Sequence, residues 1–278
     1  MNTCRASLAP AALLRTSNTG LRRPARFAEL RALASPRRPA RASRAPVLTR
    51  AGWNDFAWSS AKVISNTQAS QEGSLRSISL DVGVDAADAY ATPGQFIQIR
   101  TKPDGKAAFI AIASAPKKGR GTFELLVKSQ DGTAREICDA KVGSTLETSP
   151  AMGKGFSLSA AQGKSRALLF ATGSGISPIK ALLESGALNG RDVTLYYGTR
   201  DAEHTAFLEA SKKWGCTVTR VYSEESGRHV QDALRDDLSA IDASDAFAVL
   251  CGQKEMTTDV IGILTLAGVP RELCIMNF

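Results

Sequence analysis

The chain is poor in the residues that build metal and disulfide centres. Only His204 and His229 occur in 278 residues, which argues against a histidine-rich metal site. The five cysteines, Cys4, Cys138, Cys216, Cys251 and Cys274, are widely spaced and form no CxxC pair, so neither a disulfide framework nor a zinc site is expected. No apolar run approaches the roughly 20 residues that span a bilayer, and the mature chain is expected to be soluble.

The first fifty residues lack lysine altogether and carry one acid, Glu29, against 11 arginines in an Ala, Ser and Pro background. That is the composition of an organelle transit peptide, with a retained basic tail that contacts a membrane as the alternative. The whole formal charge of +8 resides there, because the remaining residues hold 24 Lys and Arg against 26 Asp and Glu. The basic total is therefore no argument for nucleic-acid binding.

What the rest of the chain has is enough apolar content, 43% overall, for two separate cores. From about Ala61 to Phe156 short alternating runs (AKVISNTQAS, SLRSISLDV, GQFIQIR, AAFIAIAS, GTFELLVKS, GSTLETS) are separated by Gly, Pro and Asp, which predicts an antiparallel barrel or sandwich. TAREICDAKV, from Thr133, is the one helix-like interruption. After Gly163 the period changes: RALLFAT, DVTLYYGT, CTVTRVYS, AFAVLCG and ELCIMNF read as strands, and SPIKALLESG, HTAFLEASKKWG, VQDALRDDL and TTDVIGILTLAG as helices between them. Such alternation predicts a parallel sheet covered on both faces, with ligands at the carboxyl ends of its strands.

The strongest motif is Ala171-Thr172-Gly173-Ser174-Gly175-Ile176-Ser177-Pro178, which follows a buried strand and opens a helix. Gly173 and Gly175 remove side chains where a phosphate must come close to the backbone, Ser177 suits the N-cap and Pro178 the first turn. Thr172, Gly173, Gly175 and Ser177 are thus candidates to present N–H groups and a helix N-terminus to an anion, with a plain tight turn as the alternative.

Together, TGSGISP, YYGTR, CGQKEM and the upstream PGQF resemble ferredoxin–NADP reductase and its flavin-dependent relatives, over about Ala61 to Phe278. The resemblance implies a six-stranded antiparallel FAD-type barrel (residues 51–160, after a targeting segment 1–50) followed by a Rossmann-like doubly wound NAD(P)-binding domain (161–278). FAD and NADP(H) are then the expected cofactors. It also implies the chemistry: hydride passes from NADPH to FAD, then single electrons go to a carrier such as ferredoxin. A rival reading is a non-catalytic regulatory or assembly module of the same fold.

The flavin signature R-x-Y-S of that family is absent: Ala108, Ile110 and Ala111 stand at its Arg, Tyr and Ser positions. What remains is a strand from Phe109 to Ser114, whose Ile112, Ala113 and Ser114 are candidates to hydrogen-bond the flavin edge. Gly132, Thr133 and Ala134 resemble the family's pyrophosphate turn, with an ordinary capped helix as the alternative and Lys128 and Arg135 as sources of charge. Arg200 and Arg228 are the candidates for a 2′-phosphate clamp, which Glu224 opposes.

Cys251, Gly252 and Met256 match C-G-x-x-x-M, which implies that Cys251 lies against the nicotinamide; a plain buried strand residue is the alternative. Phe278 either stacks on the flavin or anchors the last strand. Lys102, Lys106, Lys117, Lys118 and Arg120 are the candidate ferredoxin-docking charges. The resemblance to plant-type enzymes and the Ser/Ala/Arg content favour the chloroplast stroma over the mitochondrial matrix.

Overall fold

The computed structural model describes residues 56–117 and 119–277. The segment 1–50 assigned to targeting, Lys118 and Phe278 lie outside the described residues.

The alternating runs form six strands: β1 (Ser59–Gln68), β2 (Leu75–Asp81), β3 (Phe96–Arg100), β4 (Ala108–Ala111), β5 (Thr122–Lys128) and β6 (Thr145–Thr148). Helix α1 (Val84–Asp88) follows β2 and helix α2 (Thr133–Cys138) follows β5. The strands pair in the order β4-β3-β6-β1-β2-β5, and an antiparallel bridge from Ile112 to Leu125 joins the two edges into a closed barrel. Every second side chain points inward, so Val63, Ile78, Leu80, Ile97, Ile99 and Leu125 fill the interior with no exposure. Helix α1 was not expected, because five residues are too few for a helical period to register.

The second half alternates β7 (Arg166–Thr172), α3 (Ile176–Glu184), β8 (Asp192–Thr199), α4 (Leu208–Ser211), β9 (Thr217–Tyr222), α5 (Ser223–Ser226), α6 (Val230–Asp237), β10 (Ala246–Cys251), α7 (Lys254–Leu266) and β11 (Cys274–Met276). The five strands are parallel in the order β11-β10-β7-β8-β9. Leu168, Leu169, Phe170, Phe247, Val249 and Leu250 are wholly buried, as expected of strands covered on both faces. The chain leaves β7 towards β8 on one side and returns to β10 on the other. This reversal opens a crevice at the carboxyl ends of β7 and β10, the position where such sheets take ligands.

One expected helix is much shorter than its pattern. HTAFLEASKKWG folds as the single turn α4, because Phe207, with φ 59°, adopts the left-handed conformation directly before it. Thr205 is tied back to the Asp201 carbonyl by its hydroxyl, which holds the preceding segment as a loop.

The barrel and the parallel sheet meet through specific polar contacts. Ser177 Oγ donates to the Ala111 carbonyl at 3.1 Å, and Lys180 Nζ reaches Glu124 at 2.7 Å. Asn277 Nδ2 donates to the Gly94 carbonyl at 3.0 Å.

Candidate functional site

The crevice is built from two turns that touch. After β7 the backbone turns at Gly173, whose φ of 52° is left-handed and whose missing Cβ faces open space. Gly175 is required for a different reason: a Cβ there would stand 2.2 Å from the Cys251 carbonyl oxygen. A Cβ on Gly252 would stand 2.1 Å from Thr172 Oγ1. The two strand ends therefore pack backbone to backbone, and the Thr172 hydroxyl accepts the Gln253 N–H at 3.0 Å across them.

The phosphate-loop candidates divide accordingly. Gly173 and Gly175 form a short 3-10 turn that leads straight into α3, and they leave the first N–H groups of that helix facing the crevice. Ser177 is not the N-cap that its sequence position suggested. Gly175 holds that place, and Ser177, 2% exposed in the first turn, gives its hydroxyl to Ala111 of the barrel. Tyr197 was missed by sequence reasoning: its hydroxyl donates to the Gly173 carbonyl and accepts the Ala206 N–H, so it supports the loop from below. The YYGTR run gave the position but not the direction in which the phenol points.

Cys251 ends β10 at the crevice, and desolvation pushes its thiol up to about 12, so it stays protonated and non-nucleophilic at neutral pH. Met256, buried in the first turn of α7, packs against Gly252. Cys251, Gly252, Thr172, Gly173 and Gly175 are thus brought together at this crevice.

Arg200 follows β8, and Arg228 lies between α5 and α6, both on the carboxyl edge of the sheet. Each is ion-paired: Arg200 with Glu224 at 3.2 Å, and Arg228 with Asp236. The expected opposition of Glu224 to the arginine pair is thereby a direct contact with Arg200. All four side chains are about half exposed or more.

On the barrel side, the backbone N–H groups of Ile112 and Ala113 are committed to the carbonyls of Gln95 and Glu124, and the Ser114 hydroxyl accepts the Glu124 N–H. The N–H donors of Ile112 and Ala113 therefore serve barrel closure, whereas Ser114 keeps its own hydroxyl hydrogen to donate. Gly132, by contrast, has φ 88° and an open Cβ direction at the start of α2, where Thr133 and Ala134 leave N–H groups without intrahelical acceptors. The Thr133 hydroxyl donates to the Lys106 carbonyl, which fixes this turn beside the start of β4. Lys102, Lys106, Lys117 and Arg120 are exposed in loops, and Phe278 and Lys118 lie outside the described residues. Among the described residues no cluster of His, Cys, Asp and Glu could hold a metal, and no helix is long and apolar enough to cross a membrane.

The sequence profile of the oxidoreductase NAD-binding domain matches residues 169–261, the segment that forms the crevice. The fruit protein pKIWI502 of Actinidia deliciosa is 30% identical over 217 residues, covering 70% of this chain and 68% of that one. The ferredoxin reductase component of 3-ketosteroid-9-alpha-monooxygenase from Rhodococcus rhodochrous is 31% identical over 209 residues, covering 70% of this chain and 58% of that one. Among solved structures, the ferredoxin NADP+ reductase of Neisseria gonorrhoeae with bound FAD and NADP superposes with a TM-score of 0.64 at 19% identity, over 76% of this chain and 92% of that one. With a closed six-stranded barrel, a 3-2-1-4-5 parallel sheet and glycine turns at its switch point, the chain belongs to the ferredoxin–NADP reductase-like family of NAD(P)H-dependent flavin oxidoreductases.

Proposed function

We propose that this chain takes a hydride from NADPH onto FAD and delivers electrons singly to a small carrier of the ferredoxin type. The observation that carries the reading is the crevice, where two backbone positions that exclude a side chain, Gly175 and Gly252, line one mouth together with the left-handed turn at Gly173. A bound flavin supplies the conversion between two-electron and one-electron transfer.

The chain's own residues hold the partners in line. Tyr197 fixes the Gly173 carbonyl and so aims the loop N–H groups at the coenzyme pyrophosphate. Cys251, kept neutral, leaves a small side chain where the nicotinamide would lie, and Gly252 admits the ring. Ser177 and Asn277 hold the barrel against this mouth. The Gly132–Ala134 turn fits a pyrophosphate through backbone donors, and the basic residues Lys128 and Arg135 would supply charge in place of the missing arginine.

Arg200 and Arg228 support NADPH over NADH, provided that their carboxylate partners exchange for a 2′-phosphate. The exposed Lys102, Lys106, Lys117 and Arg120 support docking of an acidic carrier. The arginine-rich residues 1–50 support import into the chloroplast stroma.

The test is direct. Full-length protein incubated with FAD and freed of unbound flavin by gel filtration should stay yellow, bleach anaerobically with NADPH, and recover its flavin absorbance when an oxidised plant-type ferredoxin is added. A protein that takes up no FAD overturns the reading and favours the non-catalytic module. Bleaching without reoxidation by ferredoxin would leave the flavin chemistry and remove the carrier.

A further inference from the structure

Strand β4 carries Ala108 and Ile110 where the family has its flavin-binding Arg and Tyr, and the register shows which way each side chain faces. Ile110 pairs with Ile97 and Ala108 with Ile99, and both pack against the barrel core. They are turned towards the barrel core and are only partly exposed. The alternate residue, Phe109, is turned outward and is 60% exposed, the one aromatic ring among the described large apolar side chains left in solvent.

A single exposed apolar side chain needs no explanation by itself. Phe109 has two further features. Its ring meets that of Phe96 with centroids 5.8 Å apart, so it is held in a fixed orientation on the outer face of the barrel. It also stands between the two ends of the proposed flavin site. Lys106, whose carbonyl accepts the Thr133 hydroxyl, is three residues before it, and Ala111, whose carbonyl accepts the Ser177 hydroxyl, is two residues after it. At about 3.3 Å per residue, Phe109 is roughly 10 Å along the strand from the pyrophosphate turn and about 7 Å from the crevice. A ribityl chain bridges from phosphate to ring over that order of distance.

We propose that Phe109 is the platform on which the flavin isoalloxazine ring stacks in this chain, one residue ahead of the family's aromatic position and on the opposite face of the strand. The proposal rests on the flavin reading given above. An offset stack on Phe109 would cover the exposed ring.

The experiment uses full-length protein and FAD. Dissociation constants are measured by titration, together with the visible absorption band of the bound flavin, which an adjacent aromatic ring shifts. F109A and F109L should each weaken FAD about tenfold and return the band towards that of free flavin, and F109Y should stay within about twofold of the parent in affinity and keep the shifted band. Affinity for 2′,5′-ADP, which reports the crevice alone, should be unchanged in all three and serves to show that each is folded. F109L retains apolar bulk at an exposed position and keeps the test valid should F109A fold poorly. Equal FAD affinity and an unchanged absorption band in F109L and the parent would overturn the proposal while leaving the flavin reading intact. Absence of FAD binding by the parent protein would overturn both.

Discussion

Two carboxylates decide how the arginines at the sheet edge behave. Arg200 and Arg228 each have an acidic partner in place, so a 2′-phosphate must compete with Glu224 and Asp236 before it gains its own contacts. Changing Glu224 to Gln should release Arg200 and raise kcat/KM for NADPH about tenfold, with little change for NADH, since one charged hydrogen bond is worth roughly 1.5–3 kcal/mol. Steady-state kinetics with both coenzymes check this, and equal gains would show that Glu224 acts on features the two share. At the other end of the crevice, Cys251 should resist alkylation by iodoacetamide at pH 8, as a thiol pushed up to about 12 holds its proton there. The sign follows from desolvation, which disfavours the thiolate, so the rate should begin to rise only as pH climbs well past the ordinary value of 9.0. Mass mapping of labelled peptides across pH 7 to about 10 gives the measurement. The glycines are the most stringent residues: Gly175→Ala must push a methyl into the Cys251 carbonyl, and should cost about 1–3 kcal/mol in urea unfolding along with most coenzyme affinity.

Helix α3 links the coenzyme loop to the barrel, and its buried Lys180 is central to that link. Its ammonium reaches Glu124 of β5 at 2.7 Å and Glu184 one turn along at 2.9 Å, and it lies over the Phe207 ring at 5.3 Å. Lys180→Met should lower stability by about 2 kcal/mol, less than for a fully buried pair because both carboxylates retain some solvent. Chemical denaturation followed by tryptophan emission measures it. None of this was legible from SPIKALLESG, where the lysine reads as one more solvated helix residue. The elements themselves were legible because the period changes from two to 3.6 after Gly163, and all eleven strands lie where the apolar runs lie. The failures have one local and one distant cause: Phe207 in a left-handed conformation cuts short the helix expected over HTAFLEASKKWG, and Ser177 gives its hydroxyl to a residue 66 positions away, which no local pattern encodes. The glycine turns of the crevice were visible because their chemistry is written in consecutive residues. The outward face of β4 was not, because a four-residue strand with Ala, Phe, Ile and Ala gives no alternation to orient it.

At the scale of the whole molecule, the charge asymmetry of the chain separates its first fifty residues from everything that follows. We expect N-terminal sequencing of the protein isolated from its native tissue to begin near Ala51, and a start at Met1 or Asn2 would refute processing. The described residues form a barrel and a parallel sheet that share a mouth, and polar contacts between residues distant in sequence join the two there. One of these contacts carries a practical consequence. Asn277, 9% exposed, is wedged by its amide against the turn at Gly94, where even an added Cβ would meet it at 3.1 Å. Removing that amide, as in Asn277→Ala, should therefore uncouple the last strand from the barrel, so that β11 frays before the rest of the sheet unfolds, which amide hydrogen exchange across Cys274–Met276 would register.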